Sequence, residues 1–239
     1  MAYKMCFQRK EVKFLLCPEQ AAQLLERICD RIEPDAFPHS SISNLYYDTP
    51  DYLLIRRSLE KPDFKEKLRL RCYRTPNAAA ESFPEIKRKV GGIVYKRRAC
   101  LPYGEAAKAL RCGAIPNDGQ VFREIEWMYR VYPGLAPAMA IFYERDSFRG
   151  REDPELRLTF DREIRWRTEQ LDLSAGVYGE LLLPEEKQLL EVKIPGAMPL
   201  WLAQAMSECG IRRTSFSKYG RAYETMLHRS QIQEVKKYA

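Results

Sequence analysis

Three tripeptides in this chain put an acid and a base two residues apart around a β-branched residue: Glu11-Val12-Lys13, Glu85-Ile86-Lys87 and Glu191-Val192-Lys193. In a strand, residues i and i+2 point to the same face, so each tripeptide sets a carboxylate beside an ammonium there and turns an apolar side chain to the other face. The same alternation aligns Lys67, Arg69 and Arg71 against Leu68, Leu70 and Cys72. It also aligns Arg157, Thr159 and Asp161 against Leu158 and Phe160, and it pairs Tyr143 with Arg145 and Lys96 with Arg98.

One charged strand face is ordinarily a solvated face. Repetition over many strands changes that reading, because aligned arginines and lysines repel one another and lower stability unless a multivalent anion sits among them. Arginine forks match phosphate oxygens and lysines act as point charges, so the guest implied is a chain of linked phosphates. The few carboxylates then suit a divalent cation. Mg²⁺ or Mn²⁺ takes one or two carboxylates and completes its shell with phosphates and water, and Glu191 is the first candidate ligand, followed by Glu11 and Glu85.

The elements that must hold these residues are legible as patterns. Strand-like runs occur at Arg9–Leu16, Ser43–Asp48, Lys65–Tyr73, Phe83–Val90, Ile93–Leu101, Ala138–Arg145, Leu156–Arg167 and Leu189–Ile194, and Gly91-Gly92 reads as a hairpin turn. Helical patterning covers Glu19–Ile32, with Ala22, Leu25, Ile28 and Cys29 on its apolar face, and then Gly104–Leu110, Val121–Val131, Pro199–Cys209 and Ser217–Tyr238. Tyr219 and Tyr223 read as packing residues of the last helix. The fold expected is α+β: an eight-stranded antiparallel barrel with a basic lumen, covered outside by helices, as a single domain over residues 1–239.

Composition narrows the chemistry further. The 239 residues carry 40 Lys and Arg against 33 Asp and Glu, a net charge of +7, with 45% hydrophobic residues. Two histidines, His39 and His228, leave no multi-histidine metal site. The seven cysteines form no C-x-x-C and read as reduced thiols of a cytoplasmic protein. Glycine-loop phosphate motifs are absent, so side chains must hold any phosphate. No run is long and apolar enough to span a membrane, and basic charge on strand alternates argues against a nucleic-acid partner.

Taken in order, Arg9-Lys10-Glu11-Val12-Lys13, Leu45-Tyr46-Tyr47-Asp48-Thr49, Glu66-Lys67-Leu68-Arg69-Leu70-Arg71, Glu85-Ile86-Lys87-Arg88-Lys89, Tyr95-Lys96-Arg97-Arg98, Tyr143-Glu144-Arg145, Arg157-Leu158-Thr159-Phe160-Asp161, Leu190-Glu191-Val192-Lys193 and Ser215-Phe216-Ser217-Lys218-Tyr219-Gly220 resemble the VTC domain. This is the polyphosphate polymerase domain of the vacuolar transporter chaperone family, within the triphosphate tunnel metalloenzymes. The resemblance runs from about Arg9 to Tyr223.

It implies transfer of the γ-phosphate of ATP to a growing inorganic polyphosphate chain inside a tunnel, with Mn²⁺ or Mg²⁺. Carried over, Arg69, Arg71, Lys87, Arg145, Arg157 and Lys218 match catalytic clamp positions. Lys13, Lys96, Tyr143 and Ser217 match further phosphate-binding positions, joined by Arg9 and Lys193, and Glu191 matches the metal-binding glutamate. Where tunnel phosphatases have Glu-x-Glu-x-Lys on the first strand, this chain has Arg9-x-Glu11-x-Lys13, which exchanges a metal ligand for a phosphate clamp. ATP and polyphosphate are the partners implied. Any membrane attachment would come through a membrane-protein partner. Two alternatives stand beside this reading: a tunnel tripolyphosphatase or NTPase, and a non-catalytic polyphosphate-binding module.

Overall fold

The computed structural model describes residues 10–91, 93–114 and 119–238. Arg9, expected to bind substrate, and Gly92 of the expected hairpin turn lie outside the described residues.

Among the described residues, six α-helices accompany eleven strands: β1 (Lys10–Leu16), α1 (Pro18–Ile28), β2 (Ile32–Asp48), α2 (Leu53–Leu59), β3 (Phe64–Tyr73), β4 (Glu81–Val90), β5 (Ile93–Arg98), β6 (Leu101–Pro102), α3 (Tyr103–Cys112), α4 (Gln120–Val131), β7 (Ala136–Gly150), β8 (Arg157–Arg167), β9 (Glu180–Leu181), β10 (Gln188–Ile194), α5 (Leu200–Glu208), β11 (Arg213–Thr214) and α6 (Lys218–Tyr238). The hydrogen-bonded order is β11-β1-β10-β8-β7-β2-β3-β4-β5, with β6 on β4 and β9 on β8. The three two-residue strands aside, the eight longer ones correspond to the eight runs expected from alternation. The antiparallel sheet with helices is the α+β class expected; among the described residues the hydrogen-bonded path ends at β11 and β5 and does not close.

Contacts divide the chain into two compact units. The first holds Met1–Ile42, Phe142–Ile164 and Leu183–Phe216, the second Ser43–Ile141, Arg165–Leu182 and Ser217–Ala239.

In the first unit, Phe14, Leu158, Phe160, Leu190, Val192 and Ile194 bury one face of β1, β10 and β8 under Leu24 and Ile28 of α1 and Leu202 and Met206 of α5. The charged alternates are therefore left on the opposite face. Pro18 starts α1, where its missing N–H costs nothing. Gln20 accepts from Cys17 N at 3.1 Å and donates to the Cys209 carbonyl at 3.0 Å, tying α1 to the end of α5.

Several boundaries differ from expectation: β7 runs on to Gly150, β5 stops at Arg98, and α1 and β2 shift as well. The buried stripe of α1 is Ala21, Leu24 and Ile28, whereas Ala22 and Cys29 are exposed. The helix ends at Ile28, and β2 opens at Ile32. Strand β2 also begins eleven residues earlier than expected, through a stretch whose positions 35–40 are mostly exposed and carry no alternation to read.

In the second unit, Leu68, Leu70 and Ile86 are buried, and α3 packs on β3 and β4 with Ala106, Ala109 and Leu110 facing inward. Helix α4 is fastened by charge as well as by Ile125 and Met128. Glu66, 2% exposed, accepts from Tyr132 Oη at 2.7 Å and Arg88 Nε at 2.8 Å, and Glu124 of α4 pairs with Arg88 and Arg97. Helix α2 had no sequence signal strong enough to register. It is organised by Asp48, whose buried carboxylate accepts from the backbone N–H groups of Thr49, Leu54 and Ile55 and from Tyr219 Oη at 2.8 Å. Gly220 allows α6 to approach α2: a Cβ there would stand 2.9 Å from Leu59 Cδ2.

Candidate functional site: two charge clusters

The alternation of β1, β10 and β8 gathers the first cluster. The register pairs Glu11 with Lys193, Lys13 with Glu191, Glu191 with Thr159 and Lys193 with Arg157. Lys13 Nζ lies 3.1 Å from Glu11 and 3.2 Å from Glu191. Although burial pulls the Lys13 pKa down, Glu191 and Glu11 outweigh it and hold the ammonium well above its usual range. Arg145 grips Asp161 with two parallel bonds, Nε at 2.6 Å and a terminal nitrogen at 2.7 Å, and reaches Glu191 at 3.3 Å. Its guanidinium sits 5.2 Å from the centre of the buried Tyr143 ring. Lys193 lies 3.8 Å from Glu191, and burial, with Arg145 adding to it, lowers its pKa.

Among the described residues, no three His, Cys, Asp or Glu side chains are gathered as a ready cation site. The cluster nevertheless fits a divalent ion completed by substrate. Glu11 and Glu191 offer hard carboxylate oxygens across one lysine, and Thr159 Oγ1, buried on the strand position opposite Glu191, has no hydrogen-bond partner among the described residues. Asp161 was not singled out as a site residue, although its place two residues beyond Thr159 was the available signal. Arg157, expected in the clamp, pairs with Asp35 and with the Pro154 carbonyl.

The second cluster lies on β3, β4 and β5. Its register makes two rows, Arg69 with Glu85 and Arg98, and Lys67 with Lys87 and Lys96. Glu85, 1% exposed, is the hub: Arg69 binds it at 2.6 Å, Lys96 at 2.6 Å and Arg71 at 3.8 Å. Burial alone would raise the Glu85 pKa, but Arg69, Arg71 and Lys96 drive it far below the usual carboxylate range. Lys96 moves the other way, pushed down to about 7 by burial, with Glu85 opposing and Arg71 and Arg69 adding to the push. Arg71 also donates to Asn44 Oδ1 at 3.2 Å, and Arg69 to Tyr46 Oη at 3.3 Å.

Ser217 and Lys218 open α6 beside this cluster. Ser217 Oγ accepts from Gly220 N and lies 3.2 Å from Lys67 Nζ, and Lys218 is 8% exposed. Tyr46 and Tyr219 stack with centroids 4.5 Å apart. Neither tyrosine was anticipated at a site, since an aromatic at helical or strand spacing looks the same whether it packs a core or props a cation.

The site residues therefore separate. Glu11, Lys13, Tyr143, Arg145, Arg157, Glu191 and Lys193 belong to the first unit, and Arg69, Arg71, Glu85, Lys87, Lys96, Ser217 and Lys218 to the second. Glu85, expected as a third metal ligand, is engaged by Arg69, Arg71 and Lys96, as Glu191 is by Lys13, Arg145 and Lys193.

The VTC domain model matches residues 8–227. The chain belongs to the VTC domain family. Among solved structures, this VTC domain is similar to a proposed adenylate cyclase from Bacillus halodurans, with TM-score 0.55 and 15% identity over 88% of this chain and 96% of the other. It is likewise similar to the proposed adenylyl cyclase HpAC1 from Hippeastrum, which has a dominant triphosphatase activity, with TM-score 0.53 and 16% identity over 89% of this chain and 94% of that one. At that identity the likeness is one of fold. A comparison with the curated proteins finds no match. No helix among the described residues is long and apolar enough to cross a membrane.

Proposed function

We propose that this VTC domain is a metal-dependent polyphosphate polymerase, acting as one functional domain over residues 1–239. It transfers the γ-phosphoryl group of ATP to the end of an inorganic polyphosphate chain. The observation that carries this reading is the convergence at Glu85: Arg69, Arg71 and Lys96 meet on its buried carboxylate, on a strand face that also carries Lys67, Lys87 and Arg98. Such a face is stable when a polyanion supplies the missing negative charge.

Phosphoryl transfer asks for in-line positioning and neutralisation of the phosphoryl oxygens. In this reading Arg69 and Arg71, held by Glu85, clamp the phosphates of the nucleotide. Arg145, locked by Asp161, orients the transferred group, with Arg157 and Lys13 adding charge. Lys87, Lys96, Ser217 and Lys218 steer the acceptor chain, and Arg9 and Lys193 contribute binding charge. The bond from the γ-phosphorus to the β-bridging oxygen breaks as the terminal oxyanion of the acceptor bonds to that phosphorus, and ADP leaves. No base is required, because the attacking phosphate is already ionised at neutral pH.

Glu191 and Glu11 would hold the divalent ion, Mn²⁺ or Mg²⁺, which when bound neutralises phosphate charge as a Lewis acid. Glu85 acts here as the counter-charge that spaces Arg69, Arg71 and Lys96. The triphosphatase activity of HpAC1, on the same type of fold, favours hydrolysis as the second reading.

One experiment separates the two. Purified protein is incubated with ATP and MnCl₂, polyphosphate is resolved on a gel, and ADP and orthophosphate are quantified. Long polyphosphate accompanied by ADP supports synthesis. Orthophosphate release without chain growth supports the phosphatase. Polymer binding without turnover of ATP would make the domain a binding module.

A further inference from the structure

Arg71 is held differently from the two cations that share Glu85 with it. Arg69 and Lys96 each lie 2.6 Å from the Glu85 carboxylate, whereas the nearest nitrogen of Arg71 stands 3.8 Å away, beyond hydrogen-bond reach. Yet Arg71 is only 9% exposed. A guanidinium taken so far out of water needs a direct acceptor, and Asn44 supplies one: Arg71 Nε donates to Asn44 Oδ1 at 3.2 Å.

The Asn44 amide is itself fixed. It is 1% exposed on β2, which lies between β7 and β3 in the sheet, and its Nδ2 donates to the Ile141 carbonyl of β7 at 3.2 Å. Turning the amide over would set its NH₂ against the Nε–H of Arg71 and its oxygen against the Ile141 carbonyl, donor to donor and acceptor to acceptor. Both ends of the side chain are therefore used, and the acceptor faces Arg71.

An amide here differs in effect from a carboxylate. Arg145, in the other cluster, is gripped by Asp161, which locks its fork and also offsets its charge. Asn44 locks Arg71 through a neutral oxygen and leaves the positive charge whole. Among the described residues, the closest contacts of Arg71 to Asn44 and to Glu85 are both made by Nε. The end of the fork that carries the two terminal nitrogens is thus the end presented to an anion, and a guanidinium can take two phosphate oxygens at once from there. Without the Asn44 acceptor, Arg71 would close the gap to Glu85 and compete with Arg69 and Lys96 for one carboxylate.

We propose that Asn44 is a positioning residue of the phosphate clamp: it holds the buried Arg71 off Glu85 and aims its terminal nitrogens at a phosphate of the bound chain. The proposal rests on the reading of this face as the seat of a linear phosphate chain. Asn44 acts through Arg71 and touches no substrate.

The test is calorimetric titration of the full chain with tripolyphosphate, without nucleotide or metal, as a double-mutant cycle between positions 44 and 71. N44A should weaken binding about tenfold, the scale of one hydrogen bond to a charged group. R71K keeps the charge but has no Nε–H for Asn44 to accept, and should lose at least as much. In the R71K background N44A should then cost less than about twofold, because the bond it removes is already gone. A residue that only supports the fold would lower affinity by the same factor in both backgrounds, and that result overturns the proposal. So does N44A or R71K binding as tightly as wild type, while the polyphosphate reading survives either outcome. Failure of wild type to bind tripolyphosphate at all overturns both. N44T, a strand-forming residue whose hydroxyl is shorter than the amide, carries the same cycle where N44A does not fold.

Discussion

The two clusters use the same strand grammar, Glu-x-Lys flanked by arginines, and arrive at opposite charge balances. Around Glu191, the carboxylates of Glu11 and Asp161 answer the cations of Lys13, Arg145 and Lys193 almost one for one. Around Glu85, a single carboxylate answers three cations directly, and the neighbouring row is lysine throughout. The register explains the difference. Glu11 sits across from Lys193 and Glu191 from Lys13 and Thr159, while Asp161, opposite Leu189, is reached by Arg145; in the second cluster Lys87 sits between Lys67 and Lys96. The cluster with carboxylates on β1, β8 and β10 suits a divalent ion; the one dominated by arginines and lysines suits a polyanion.

The largest effects should come from removing the member on which each balance turns. Arg69→Ala is expected to lower polyphosphate synthesis from ATP by about 100-fold or more, the scale of losing one preorganised charge contact to a transition state. An unchanged rate in a timed polyphosphate assay would remove Arg69 from the clamp. Glu191→Gln should cost a similar factor, but with a different signature: activation by MnCl₂ is lost, and Mn²⁺ binding measured by electron paramagnetic resonance weakens. The two variants thus break the comparison in different variables, phosphate for one cluster and metal for the other.

Next in size is Glu85→Gln. Removing the carboxylate leaves Arg69, Arg71 and Lys96 crowded without their hub, and breaking a buried ion pair costs about 3–5 kcal/mol. Thermal unfolding should fall accordingly, and tripolyphosphate should restore much of the loss by supplying the missing negative charge. Glu11→Gln, at a more exposed carboxylate, should shift unfolding much less. Equal destabilisation by the two would erase the distinction between a counter-charge and a metal-facing carboxylate.

Much of this was legible from alternation because strand periodicity depends only on which face each residue takes. The eight longer strands, the apolar side covered by α1 and α5, and the charged sets on β1, β3, β4, β8 and β10 all follow from that one rule. What sequence could not supply was pairing. Nothing in Glu85-Ile86-Lys87 says that Glu85 will meet Arg69 and Lys96 rather than its own neighbour, and nothing in Arg157-Leu158-Thr159 says that Arg157 will turn to Asp35. Such partners are set by register between distant segments. Helix α2 escaped for a related reason: its seven residues are organised by Asp48 and closed by Gly220 of α6, contacts that lie outside its own sequence.

The smallest effect expected is the most specific to the second cluster. Lys96, pushed down to about 7 by desolvation although its side chain is 41% exposed and Glu85 opposes the shift, is the cation of this cluster expected to titrate nearest physiological pH. A bound phosphate chain favours the charged form, so binding should draw a proton onto Lys96. Because the free protein loses that proton as pH rises through 7, tripolyphosphate affinity should fall between about pH 6.5 and 8.5 by a few-fold, up to the tenfold per unit that one linked proton allows. The sign for stability without ligand is opposite. A lysine whose folded pKa is depressed is bound to fewer protons in the folded than in the unfolded state between about 7 and 10.5, so unfolding free energy rises with pH across that window. Lys96→Arg keeps the charge at every pH and should flatten the affinity profile. Calorimetry in two buffers of different ionisation enthalpy, at pH 7.5, would show proton uptake by wild type and none by Lys96→Arg. Uptake that persists in Lys96→Arg would place the titrating group elsewhere and remove Lys96 as what distinguishes the Glu85 cluster in pH response.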